Sequence, residues 1–233
     1  MTPTNFDPSM VIAILPAICL LCLAGLVLIV DLVVQPQQHR SLGWLTAIGL
    51  LIIGIISLVF SRPGDQPTLI LGGMLRQDWL SFVFLLVFLF GAAITALFAM
   101  DSELIGQRGE FYVLLLVATL GMSLMASSAD LIMLYLAIET TSIPLYVLAG
   151  FLFRDKKSTE AGIKYLLFGA LTSAVMLYGF SLLYGFSGTP KIYLLAQKLQ
   201  AGNLPPFVII GTAILLLFGF LPDAIRALYM RPL

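Results

Sequence analysis

Seven apolar runs of 17 to 24 residues, separated by polar connections, constrain this chain more than any other feature. They are Val11–Val34, Leu42–Phe60, Leu80–Met100, Phe111–Ser127, Leu131–Phe153, Ala161–Leu183 and Phe207 to about Leu228. At ~1.5 Å of rise per residue, each is about as long as a bilayer core is thick. Helices satisfy their own backbone groups segment by segment in lipid, and these runs exceed the short alternating segments of a membrane barrel. The expectation is an all-α fold, a polytopic transmembrane helical bundle of about seven helices in a single domain over residues 1–233. Charged residues make up 10% of the chain against about 25% in soluble domains. Twelve Lys and Arg balance twelve Asp and Glu, which leaves no basic field for nucleic acid. No Lys or Arg precedes Val11, so the first run reads as a retained helix and not as a cleaved signal.

Orientation follows from the cations near the helix ends. Connections after odd-numbered runs carry Arg40, Arg108, Arg154, Lys156 and Lys157, with Arg226 and Arg231 after the seventh; connections after even-numbered runs carry Arg62, Arg76, Lys191 and Lys198. This places the N-terminus outside and the Arg154 to Glu160 connection in the cytoplasm. Other polar residues have structural readings. Asp31 and Asp78 face the interface, Asp130 caps the fifth helix, and Trp44 and Trp79 are belt anchors at helix starts. Cys19 and Cys22 pack within the first helix, and His39 lies in a polar turn.

One carboxylate does not fit this pattern. Glu139 lies inside LIMLYLAIETTSIPLYVLAGFLF, eight residues from one end and fourteen from the other. An acid near a helix centre costs about 2.5–3.5 kcal/mol on insertion scales, so the position requires a partner, a water-filled cavity or a proton. Tyr135, Ser142 and Tyr146 share its face at helical spacing, and Thr140 and Thr141 widen the polar stripe. Pro144 frees the carbonyl near Thr140. Glu139 therefore reads as part of an ion path, and alternatively as a structural glutamate that fixes helix packing.

Lys164 is the second candidate. It follows Glu160 at i+4, about one turn inside the sixth run, and reads either as part of the same path or as an anchor that snorkels to the interface and pairs with Glu160. Helical rise separates it from Glu139 by ~15 Å in depth, which argues against a direct salt bridge. Gly162, Gly169, Gly179 and Gly185, with Ala170 and Ala174, offer small faces for close helix contact.

Three stretches, read together, resemble the antiporter-like membrane subunits of the proton-pumping NADH-quinone oxidoreductase, respiratory complex I, of the subunit N type. They are GEFYVLLLVATLGMSLMASSADLIMLYLAIETTSIPLYVLAGF, KSTEAGIKYLLFGALTSAVMLYGFSLLYGFSGT and, more loosely, QDWLSFVFLLVFLF. The resemblance implies a multi-pass subunit of the bacterial inner membrane whose partners are the lipid bilayer and the other membrane subunits of the complex. It places Glu139 and Lys164 on the family's proton-translocating glutamate and lysine. It also implies no cofactor in this chain, with NADH, flavin, iron–sulfur clusters and quinone belonging to the wider complex. Two departures accompany it. The family has about twice this length, with fourteen helices in inverted repeats, so the chain reads as a truncated, split or frame-shifted form. In the seventh run LPDAIRALYMRPL places Leu221 where the family has a lysine, leaving Asp223 and Arg226 as a makeshift helix-end pair. A cation/proton antiporter subunit and a non-pumping fragment remain the alternatives.

Overall fold

The computed structural model describes residues 8–33, 40–102, 104–202 and 204–229, of which 8–10 and 220–229 are described by backbone alone. His39 lies outside the described residues, as do the side chains of Leu221, Asp223 and Arg226. The chain is a multi-pass helical membrane protein. Its helices are α1 (Pro8–Val33), α2 (Arg40–Phe60), α3 (Trp79–Ala99), α4 (Gly109–Ser127), α5 (Leu131–Ala149), α6 (Lys156–Ser187), α7 (Ile192–Gln200) and α8 (Pro206–Tyr229). Among the described residues, α1 to α6 are long and apolar enough to cross a membrane, and Pro206–Gly219 of α8 is a shorter apolar stretch.

Most spans fall within three residues of the apolar runs, but three boundaries, the end of α5 and both ends of α6, need correction. The fifth helix ends at Ala149, not Phe153, because Gly150 closes it and the chain turns immediately afterwards. The sixth begins at Lys156, because the Asp155 side chain accepts a hydrogen bond from the Lys157 amide at 3.1 Å, and it runs on to Ser187. There Gly188 takes the left-handed conformation (φ 67°) that lets the helix stop. Polar residues in the first turns of α6 resemble a connection, but capping and tertiary packing override that appearance.

Packing divides the bundle into two parts. Leu20, Val27, Leu42, Leu50, Ala96 and Leu116 belong to a core shared by α1 to α4. Leu131, Met176, Phe180, Leu183 and Leu195 join α5, α6 and α7 in a second. Gly121 of α4 lies at the junction, where an added Cβ would stand 2.6 Å from the Thr141 amide nitrogen. Lipid tails are as apolar as the side chains, so helices in a membrane associate by such close approach. On α6, Gly162 meets Gly150, Gly169 meets Tyr146, and Gly179 meets Leu215 and Leu216. A Cβ added at Gly185 would meet nothing within 4 Å and Ala170 and Ala174 are exposed, so these three leave the expected contact face.

Extended segments tie one end of the bundle together. Strands β1 (Thr68–Ile70) and β2 (Leu75–Gln77) form an antiparallel hairpin whose turn holds Leu71, Gly72 and Gly73 at positive φ. Beside β2, the Ala129 amide donates to the Met74 carbonyl at 2.8 Å and Leu75 bridges Ser128. On the far side of the α4–α5 turn, the Leu131 amide donates to the Pro190 carbonyl and the Ile192 amide to the Ala129 carbonyl, at 2.9 and 3.0 Å. Three connections on one face of the membrane are thus joined through their backbones.

The capping acids belong to the same framework. Asp130 caps α5, accepting from the Ile132 amide at 2.8 Å, as the sequence suggests. Asp78 is more than an interfacial charge: it caps α3 through a reciprocal box with Ser81 and pairs with Arg76 at 2.6 Å. Asp31 also departs from the expectation, reaching from α1 to accept from the Gly109 amide at the start of α4, at 3.1 Å. Trp44 and Trp79 are more than half exposed at helix starts, and Cys19 packs against the first core while Cys22 is exposed.

Candidate functional site

The observed bounds of α5 place Glu139 closer to mid-helix than the apolar run implied, eight residues from Leu131 and ten from Ala149. That is ~12 Å and ~15 Å of helix on the two sides. Pro144 is buried within α5, and the helix continues through it, so the carbonyl one turn back lacks its usual amide donor. Two faces of α5 are committed to protein. Thr141 turns toward α4, with Ala137 buried one turn back, whereas Tyr135 packs against the second core and Tyr146 lies against Tyr165 (ring centroids 4.8 Å) and Gly169 of α6. Leu136, Ile143 and Val147 form the exposed side.

Glu139 lies between Tyr135 and Tyr146 on the stripe turned toward α6, and it is half-buried. Tyr135 lies one turn back on the same face, near enough for its phenol and the carboxylate to interact. The Oε1 atom is fully buried and has no hydrogen-bond partner among the described residues. A buried carboxyl oxygen with no partner is costly in an apolar setting, and the usual compensation is water or a proton. The threonines do not join this constellation. Thr140 Oγ1 donates to the Leu136 carbonyl at 2.7 Å and Thr141 Oγ1 to the Ala137 carbonyl at 2.9 Å. The expected widening of the stripe therefore fails, because a helical threonine can satisfy its hydroxyl on the carbonyl one turn back.

Lys164 sits elsewhere. It pairs with Glu160 on an outward face of α6, both side chains 64% exposed. The lysine is two turns inside α6 rather than one, since α6 begins early, yet it is shallow. Gly162 packs against Gly150, so those two residues are level. Lys164 lies two residues beyond that level and Glu139 eleven, a difference in depth of ~13 Å. The structure does not bring the two candidates together, in agreement with the separation expected from helical rise.

The chain also matches known proteins. The family model described as "NADH:quinone oxidoreductase/Mrp antiporter, TM" matches residues 128–224, a stretch that holds both Glu139 and Lys164. A protein of Roseiflexus castenholzii named NADH-quinone oxidoreductase subunit N 1 is 38% identical over 86% of this chain and 42% of the relative. The subunit N 2 of Symbiobacterium thermophilum is 37% identical over 92% of this chain and 46% of its own length. A chain of respiratory complex I from Thermus thermophilus superposes with a TM-score of 0.68 at 31% identity, covering 88% of this chain and 42% of that one. The chain spans less than half the length of these relatives. Over that shared stretch, in sequence and in helix arrangement alike, the chain belongs to the antiporter-like family of NADH-quinone oxidoreductase membrane subunits.

Proposed function

We propose that this chain is part of a proton-translocating membrane subunit of an NADH-quinone oxidoreductase, with Glu139 as its mid-membrane proton carrier. The observation that carries the reading is the buried, unpartnered Oε1 of a carboxyl group held near the middle of a spanning helix. A group in that position changes its interactions greatly with protonation, because a proton removes the cost of charge in hydrocarbon. Tyr135, one turn back on the same face, sets a polar group beside the carboxylate. Lys164 is the second titratable group of the path. At ~13 Å in depth it acts through water or an intervening group and not through contact.

The redox chemistry belongs to partner subunits, with flavin, iron–sulfur clusters and quinone bound outside this chain. Its effect would reach Glu139 as a change in the charge of neighbouring membrane groups. The location is the bacterial inner membrane, with the hairpin end and the N-terminus outside. The description of the matched family also covers Mrp antiporters, which keeps cation/proton exchange as a second reading.

The test is Glu139→Gln in the intact complex, reconstituted in proteoliposomes. The expected result is normal assembly on a native gel with NADH-driven acidification reduced at least severalfold. Undiminished acidification at an unchanged NADH oxidation rate would overturn the assignment. Sodium/proton exchange without NADH, lost in the same variant, would favour the antiporter reading.

A further inference from the structure

At the end of the bundle opposite the hairpin, the turn between α5 and α6 carries a cluster of cations and rings that the Glu139 site does not use. Arg108, the residue before α4, lays its guanidinium against two rings, with Cζ 5.5 Å from the centroids of both Phe151 and Phe153. Arg154 approaches Phe153 as well, its Cζ 5.8 Å from the same centroid. Two guanidiniums therefore share one phenyl ring. Ring faces attract cations, but stacking leaves the N–H edges open and does not cancel the repulsion between like charges.

Among the described residues, neither guanidinium has a carboxylate partner. The local acids are engaged or apart. Asp31 is engaged by the Gly109 amide beside Arg108, Asp155 caps α6, Glu160 pairs with Lys164, and Glu110 is exposed on the first turn of α4 with no ion pair among the described residues. Lys156 and Lys157 open α6 beside the cluster, and the positive end of that helix dipole adds to the field. The turn is also fixed in shape. Ser158 Oγ accepts from the Leu152 amide at 3.3 Å and donates to the Ala149 carbonyl at 3.1 Å, and Thr159 Oγ1 donates to the Phe153 carbonyl at 3.2 Å.

We propose that Arg108 and Arg154, seated on Phe153, form a binding site for the phosphodiester headgroup of an anionic phospholipid. An aqueous phosphate needs the donors alone. A lipid also accounts for Phe153, a phenyl ring 65% exposed just past the end of a spanning helix, where acyl chain and headgroup meet.

The experiment uses the full chain in detergent, titrated separately with phosphatidylglycerol, phosphatidylcholine and inorganic phosphate, with bound lipid read by native mass spectrometry and by thermal shift. Phosphatidylglycerol is expected to bind at concentrations where the other two do not. Each guanidinium should contribute about fivefold, so Arg108→Gln with Arg154→Gln should weaken binding ~25-fold. Arg40→Gln is the control, an exposed cation already paired with Asp101 at 3.2 Å, and should leave binding unchanged. Phe153→Leu keeps the apolar anchor but removes the shared ring face, and a severalfold loss is expected; it decides the matter should the double variant fail to fold. Equal affinity for phosphatidylcholine, an equal response to inorganic phosphate, or an equal loss in Arg40→Gln would each overturn the proposal.

Discussion

Glu139 is set apart by one enclosed carboxyl oxygen. Tyr135 lies one turn back on the same face, while Oε1 is enclosed without a partner among the described residues. Lys164 contrasts with it, since water or headgroups can reach both members of its pair with Glu160. Exposed pairs of this kind contribute little to stability. Lys164→Ala is accordingly expected to leave the thermal midpoint in detergent unchanged while lowering proton translocation in the assembled complex; full translocation would reduce the lysine to an interfacial anchor. Spacing alone made Glu139 legible, because a lone carboxylate in a long apolar run is costly wherever the helix sits. The same spacing misassigned Thr140 and Thr141. Nothing in a residue's position says whether its hydroxyl will choose a neighbouring carboxylate or its own backbone.

Among the elements, α5 is capped at its start, carries Pro144 within the helix and packs against both α4 and α6. Its cap is buried: Asp130 is only 4% exposed while serving the Ile132 amide. Asp130→Ala should cost about 1 kcal/mol, read as a fall in the denaturant midpoint of the purified chain. The contact with α4 is tighter still. Gly121→Ala would push a methyl group into the backbone at Thr140 and Thr141, with an expected loss of about 1–3 kcal/mol, whereas the same change at Gly185 meets no neighbour. Long apolar runs located the spanning elements to within a few residues. The short ones escaped notice for a different reason: α7 is nine residues long, and each hairpin strand has three. Elements so short are selected by their partners in the fold, which local periodicity does not record.

For the whole molecule, the extended stitching at one end and the α4–α5 contact together join the two packed halves. Arg76 is central there, pairing with Asp78, lying over the Tyr193 ring with Cζ 5.5 Å from its centroid, and donating to the Tyr193 hydroxyl. It thereby links the hairpin to α7. A double-mutant cycle of Arg76→Ala and Tyr193→Phe, followed by thermal or denaturant unfolding, should show a coupling of roughly 0.5–3 kcal/mol; additive losses would mean that the two segments are stabilised independently. This linkage could not be read from the chain in order, since it joins residues 117 apart. The seat of α5 on Gly121 bears on mechanism as well. With only the Thr141 hydroxyl beside them, the two backbones meet there like planks nailed edge to edge, a contact that resists lengthwise slip. Any response to a charge gained or lost at Glu139 must then travel as a swing of side chains, a file of solvent, or a tilt of the pair as one body.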